Sequence, residues 1–243
     1  MRSSTEVAPA RPSSTVVLVR PGVETPEIFM VKRHEHSSFG SAYAFPGGVL
    51  EDADNKVHDL CTGLTSTDAS HLLQLDAGGL DYFSAAVREL FEETGVLLGN
   101  NTMSVAELGD TRVGLNEGAL QWDAFARDRE LKLRCDLLHY FSFWITPDAM
   151  PKRYSTRFFL AEMPDGQQAS HCGGELTDSC WLTANAALAA SSTGDIRVHY
   201  PTRKTLESLT LFESVSALSS WAKGCGEAGV KCIYPDVVPR SER

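Results

Sequence analysis

In the run Arg88-Glu89-Leu90-Phe91-Glu92-Glu93-Thr94-Gly95-Val96, three carboxylates and one guanidinium recur at helical spacing. At roughly 100° per residue, Glu89, Glu92 and Glu93 fall within about 100° of one another, on the side of a helix away from Phe83, Val87 and Leu90. They occupy its last two turns. There the negative end of the macrodipole disfavours each anion by roughly 0.3–1 kcal/mol, and like charges at i,i+4 add a few tenths. A compensating cation reverses that balance, because hard oxygen ligands at i, i+3 and i+4 can hold Mg²⁺ with waters and phosphate oxygens. Arg88 reaches Glu92 at i+4 and can fix the rotamer of one ligand. The plain alternatives are a solvated acidic face and an ordinary surface ion pair.

The helix that carries these groups is expected over Tyr82 to Thr94, since Phe83, Val87, Leu90 and the methyl of Thr94 share one stripe and Gly95 stops it. Pro46-Gly47-Gly48 reads as a break in regular structure that lets the backbone approach something closely. Thr15 to Arg20 and Ile28 to Lys32 read as neighbouring strands, Ala42 to Phe45 as a third extended piece. Glu51 to about Asp81 is mixed in composition, with a short helix near Asp68 to Gln74. A helix is expected from about Glu117 to Arg129. Strands follow over Leu138 to Ile145, Arg157 to Glu162 and Ser179 to Leu182, then a helix over Ala184 to Ala190 closed by Gly194. A last helix, about 202–223, starts after Pro201 with Leu211, Val215, Leu218 and Ala222 on one stripe. The fold class is α/β, one mixed β-sheet sandwiched between α-helices, with residues 1–13 as a flexible tail and 14–243 as a single domain.

The chain has 243 residues, 42% of them apolar, enough for a sizeable core. Lys plus Arg number 22 against 32 for Asp plus Glu, a formal charge of -10. That field disfavours nucleic acid and anionic membrane surfaces as partners, and a phosphate substrate would need a metal between two negative bodies. The six cysteines form no C-x-x-C pair and read as reduced thiols. No apolar run of about 18 residues is present to span a membrane. The first dozen residues lack the apolar stretch of a secretory signal, and the final Ser241-Glu242-Arg243 is not a peroxisomal address. The default compartment is the cytoplasm, with peroxisome and mitochondrion unsupported by any targeting signal.

These residues resemble the Nudix box, G-x5-E-x7-R-E-U-x-E-E-x-G-U with U aliphatic. Arg88, Glu89, Leu90, Glu92, Glu93, Gly95 and Val96 match every fixed place of its second half, and Phe45-Pro46-Gly47-Gly48-Val49-Leu50-Glu51 resembles its lead-in. Between Gly48 and Arg88 stand 39 residues where the uninterrupted pattern has 13, an insertion at about 52–80. Counting back from Arg88, the place of the earlier glutamate holds Leu80, with Glu51, Asp76 or Asp81 as weak substitutes. A box interrupted in this way is similar to the coenzyme A diphosphatases of the nucleoside-diphosphate-linked moiety X motif 19 type. That resemblance extends to Glu51-Asp52-Ala53-Asp54, Arg157-Phe158-Phe159-Leu160, Gly173-Gly174-Glu175 before Trp181-Leu182, and Tyr200-Pro201-Thr202, covering Thr15 to about Trp221.

The resemblance implies a Nudix fold and hydrolysis of a diphosphate linked to a group X, with water attacking one phosphorus and the other phosphate leaving. Glu89, Glu92 and Glu93 would bind Mg²⁺, or Mn²⁺ as the alternative, with Arg88 beside them. The proton would pass to a box glutamate or to Glu175. For coenzyme A or acyl-coenzyme A the products would be 3′,5′-ADP and the phosphopantetheine portion. Arg33, Gly47, Gly48 and Arg157 are candidates for substrate contact, with Lys32 and Arg153 as further basic groups near strands. Phe39, Tyr43 and Phe158 are candidates to stack an adenine. His34 and His36, at i,i+2 without partners, are weak metal ligands. Competing readings are the same chemistry on an ADP-sugar, NADH, a dinucleoside polyphosphate or a capped RNA end, and a nucleotide-binding module that does not cleave. The expected partner is a small-molecule nucleotide, with a homodimer left open.

Overall fold

The computed structural model describes residues 7–33, 41–100, 103–173 and 176–235. In chain order the elements are β1 (Arg11–Arg20), β2 (Glu27–Arg33), β3 (Tyr43–Ala44), β4 (Gly47–Val49), α1 (Asp52–Asn55), β5 (Cys61–Thr62), α2 (Ser66–Leu72), α3 (Gly79–Thr94), α4 (Val105–Asn116), α5 (Trp122–Asp128) and β6 (Leu133–Arg134). Then come β7 (His139–Ile145), β8 (Tyr154–Glu162), β9 (Leu176–Thr183), α6 (Ala184–Thr193), α7 (Tyr200–Leu209), α8 (Val215–Ala228) and β10 (Cys232–Ile233). Eight strands make one mixed sheet in the order β10-β7-β8-β1-β2-β3, with β4 on β1 and β9 on β2.

Strand β1 is central because its apolar run has no polar face to give to water. Val16 and Leu18 enter the core shared with α3, Val17 and Val19 the core under α6, α7 and α8. It runs parallel to β8 from Arg11 to Val19. On its other edge it pairs with β2 only at Val19/Ile28 and Arg20/Glu27. The two strands then diverge, and the segment 43–49 fills the wedge, with β3 on β2 and β4 on β1. Splaying of the central strands therefore sets the double glycine into the sheet beside α3.

Several sequence expectations change here. The first strand starts at Arg11, so part of the segment expected as a tail is hydrogen-bonded sheet. Gly47-Gly48 does not end regular structure but forms β4, pairing Thr15/Gly47 and Ser14/Gly48. Helix α4 was not legible, and the helix expected from Glu117 reduces to α5. The single C-terminal helix is two, since Ser214 Oγ accepts from Ala217 N and starts α8 afresh. Leu211 lies in that break, exposed rather than on the stripe. The inserted segment packs into the α3-side core through Val57, Ala69 and Leu73, all fully buried. Its helix is Ser66–Leu72, close to the expected place, and its β5 pairs with β6.

Candidate active site

Two glycines set the limits of α3. Gly78 and Gly95 hold φ of +77° and +76°, and the amide of Gly95 donates to Phe91 O at 2.8 Å. Gly79 lets the helix start against the insertion, since a Cβ there would stand 2.3 Å from the amide nitrogen of Ser70. Phe83, Val87, Leu90 and Thr94 are buried as their spacing implied. The acidic side is not an open face: Glu93 is only 6% exposed, and the side chains of Glu89 and Glu92 are 12% and 20% exposed. The carboxylates lie off the Phe83, Val87 and Leu90 stripe, and the Gly47-Gly48 backbone approaches them closely as its sequence suggested, with β4 and α1 covering that side of the helix.

Gly47 and Gly48 make that cover close. The amide of Gly47 donates to Glu93 Oε2 at 2.8 Å. A Cβ on Gly47, whose φ is +153°, would stand 2.3 Å from Ser14 O, and one on Gly48 would lie 2.3–2.6 Å from the Glu89 carboxylate. No other residue type lets the strand run this near to two acids.

Arg88 is 2% exposed and uses all five of its N–H donors. Nε and Nη2 donate to Asp54 Oδ1 and Oδ2 at 2.8 and 3.0 Å. Nη2 also donates to Val49 O at 2.9 Å, and Nη1 to Glu89 Oε1 at 2.8 Å and Glu92 Oε2 at 3.0 Å. One guanidinium thus gathers two of the three expected ligands and anchors itself on the insertion. Asp54 is fully buried and was missed by the sequence reading. The signal was there: counting forward from Gly48, not back from Arg88, the sixth residue is Asp54. It stands where the family pattern has its earlier glutamate, and the extra residues fall after it.

The electrostatics are those of a site short of positive charge. Burial, joined by the neighbouring Glu89 charge, pushes the Glu92 carboxyl up to about 7 against the opposing pull of Arg88. Although burial alone would lower it, Arg88 is raised by its bonds to Asp54 and the nearby Glu89 and Glu92, so it stays a cation. Among the described residues no three acidic, imidazole or thiol groups are gathered closely enough to hold a metal ion by themselves. Glu89 and Glu92 meet at Arg88, while Glu93 is turned to Gly47. Such a donor set, hard oxygens few in number and partly desolvated, fits a divalent cation that completes its shell with water and phosphate oxygens.

The remaining candidates are dispersed. Glu175, Phe39, His34 and His36 lie outside the described residues. Arg33 ends β2 opposite Leu176. Arg157 is 5% exposed, hydrogen-bonded to Tyr140 Oη at 2.7 Å and enclosed by the rings of Tyr82, Tyr140 and Phe143. As placed, it meets aromatic faces rather than a ligand. Phe158 is buried between Phe45 and Phe141 and cannot stack on a base. Tyr43 is also buried, its hydroxyl donating to Asp178 at 2.5 Å, and Lys32 stands over its ring. Arg153 serves Thr146 O and pairs with Asp148.

Comparison with known proteins agrees with the geometry. The NUDIX domain matches residues 9–202. A Caenorhabditis elegans protein named "Putative nudix hydrolase 7" is 26% identical over 159 residues, 65% of this chain; the chain spans about half, 47%, of that protein's length. The crystal structure of a NUDIX hydrolase from Alicyclobacillus acidocaldarius superposes with a TM-score of 0.74 at 23% identity, over 88% of this chain and 97% of that one, a likeness of fold. A match across most of the chain, with the box residues gathered around Arg88, shows that the protein belongs to the Nudix family.

Proposed function

We propose that the protein is a Mg²⁺-dependent Nudix hydrolase that cleaves the diphosphate bond of coenzyme A or acyl-coenzyme A, releasing 3′,5′-ADP and the (acyl-)phosphopantetheine portion. The observation that supports hydrolysis most is the set of three partly or fully buried carboxylates at the C-terminal end of α3, two of them on one guanidinium. A module that only binds nucleotide has no use for acids kept at this electrostatic cost. Glu89, Glu92 and Glu93 would hold the divalent ions, which Nudix enzymes generally use. When bound, such ions neutralise charge building on the phosphate oxygens.

The chain's own groups divide the remaining work. Arg88 fixes the carboxylates of Glu89 and Glu92, and the Gly47 amide fixes Glu93. Gly47 and Gly48, lacking side chains, let β4 lie directly against Glu93 and Glu89. Water forms a new P–O bond as the bridging P–O bond breaks, and Glu175 is our candidate to take the water's proton. Coenzyme A as the substrate is supported by the likeness of the interrupted box and of Arg157-Phe158-Phe159-Leu160 to that branch.

Chromatography of products from a panel of coenzyme A, an ADP-sugar, NADH and a dinucleoside polyphosphate tests this reading. Release of 3′,5′-ADP from coenzyme A, abolished by Glu92→Gln, is expected. Turnover confined to the other compounds would remove coenzyme A, and no turnover of any would remove the hydrolase.

A further inference from the structure

Arg112 lies on α4, outside the box, is 8% exposed, and donates its hydrogen bonds to backbone carbonyls and to the Ser170 hydroxyl. Its guanidinium is spent on the end of α3. Nε donates to Glu92 O at 2.9 Å and Nη2 to Glu93 O. Nη2 also donates to Ser170 O at 2.7 Å, and Nη1 approaches Ser170 Oγ at 3.4 Å. Ser170 in turn donates its amide to Thr94 O at 2.9 Å. The last carbonyls of any helix lack intrahelical donors. Here Glu92 O and Glu93 O go to Arg112, Thr94 O to Ser170, and Asn116 Nδ2 adds a bond to Glu92 O at 3.2 Å.

The two α3 carbonyls that Arg112 binds belong to two of the three acids of the site. We propose that Arg112 is a positioning residue for Glu92 and Glu93: it fixes the backbone of the helix end that aims their carboxylates at Arg88 and Gly47, and ties it to the segment around Ser170. A full positive charge at the negative end of the macrodipole also offsets the like-charge crowding there. A neutral hydrogen-bonding cap would satisfy the carbonyls without that offset. Lysine would keep the charge but not the planar fork that reaches Glu92 O, Glu93 O and Ser170 O together. This inference rests on the proposed metal site, although two of its three readouts do not need turnover.

The test compares wild type, Arg112→Gln and Arg112→Lys, each held well below its own unfolding temperature. Mn²⁺ affinity is read by electron paramagnetic resonance, amide exchange of Ser170 in the metal-free protein by mass spectrometry, and kcat and KM on whichever diphosphate the wild type cleaves. Arg112→Gln should weaken Mn²⁺ binding roughly tenfold and lower kcat roughly tenfold or more, with KM changed by less than about threefold. Ser170 exchange should speed up, and Arg112→Lys should recover part of each loss. If Arg112→Gln does not fold, Arg112→Lys decides alone: wild-type Mn²⁺ affinity and Ser170 exchange in it overturn the inference. Lower melting temperature with unchanged Mn²⁺ affinity would reduce Arg112 to a structural cap. Should the wild type cleave nothing on the panel, the hydrolase reading fails while Mn²⁺ affinity and exchange still judge Arg112.

Discussion

Asp54 and Arg88, 34 residues apart in the chain, form a two-bond ion pair in which the side chains are 0% and 2% exposed. Asp54 belongs to the first turn of the insertion, so the segment that interrupts the box also completes it. Its carboxylate sets the plane of the guanidinium, and that plane decides where Glu89 and Glu92 find their donors. Removing one partner of a buried pair strands the other charge, at a cost of about 3–5 kcal/mol. Asp54→Ala is therefore expected to lose about that much stability in urea unfolding and most of its turnover, whereas Asp54→Glu keeps turnover within roughly tenfold. Equal stability of Asp54→Ala and wild type would contradict the pairing.

The pH dependence follows from Glu92. Its carboxyl is raised from an ordinary 4.5 to about 7 in the folded protein. A raised acid binds its proton more tightly when folded, so its contribution is fully present below about pH 4.5 and is lost as pH rises through 7. Metal-free protein should lose on the order of 2–3 kcal/mol from this group over that window, and Glu92→Gln should flatten the loss. Divalent ions need the carboxylate, so Mg²⁺ affinity should rise over the same range with proton release. Melting curves at several pH values, with and without Mg²⁺, check both signs. A metal-free protein that gains stability through this window, with Glu92→Gln behaving identically, would refute it.

Gly48 has no room for a side chain. A methyl there would meet the Glu89 carboxylate, which is the far end of a flexible side chain and can swing aside. Gly48→Ala should thus cost ligand geometry more than stability, lowering kcat roughly a hundredfold while stability falls by less than about 2 kcal/mol. Kinetics paired with denaturant unfolding separates the two. Full activity in this variant would show that Glu89 is not held where the site needs it.

Arg157 makes the opposite prediction to its sequence reading. Caged by three rings, with one hydroxyl partner and a buried Nε that has none, it contributes to packing. Arg157→Met should change KM by less than about threefold and leave or raise the melting temperature. A KM increase of roughly tenfold or more would mean that the cage opens to meet the substrate.

The parts of this protein that read well from sequence are those governed by local periodicity. The stripe of Phe83, Val87 and Leu90, the stop at Gly95 and the β-branched apolar run of β1 each need only near neighbours. Asp54 is hidden in a count back from Arg88, because the pattern does not say on which side of its earlier acid the extra residues fall; a count forward from Gly48 reaches it. Arg112 left no signal, since it binds backbone carbonyls that carry no residue identity, from a helix whose VAELGDTRVGLN run has no clear apolar face. Arg157 is one of several basic residues near strands available to a substrate phosphate, and no local pattern marks the aromatic rings that enclose its cation, because they come from α3 and the neighbouring β7. What β1 and β2 do when they diverge, and hence why Gly47 reaches Glu93, is a property of the whole sheet.

The most direct measurement is a calorimetric titration of Mg²⁺ or Mn²⁺ into the metal-free protein at pH 7, repeated on Glu92→Gln. Saturable uptake by the wild type, weakened roughly tenfold or more in the variant, is the expected result. Identical isotherms, or no uptake by either, would contradict the claim that the acids at the end of α3 hold a divalent ion.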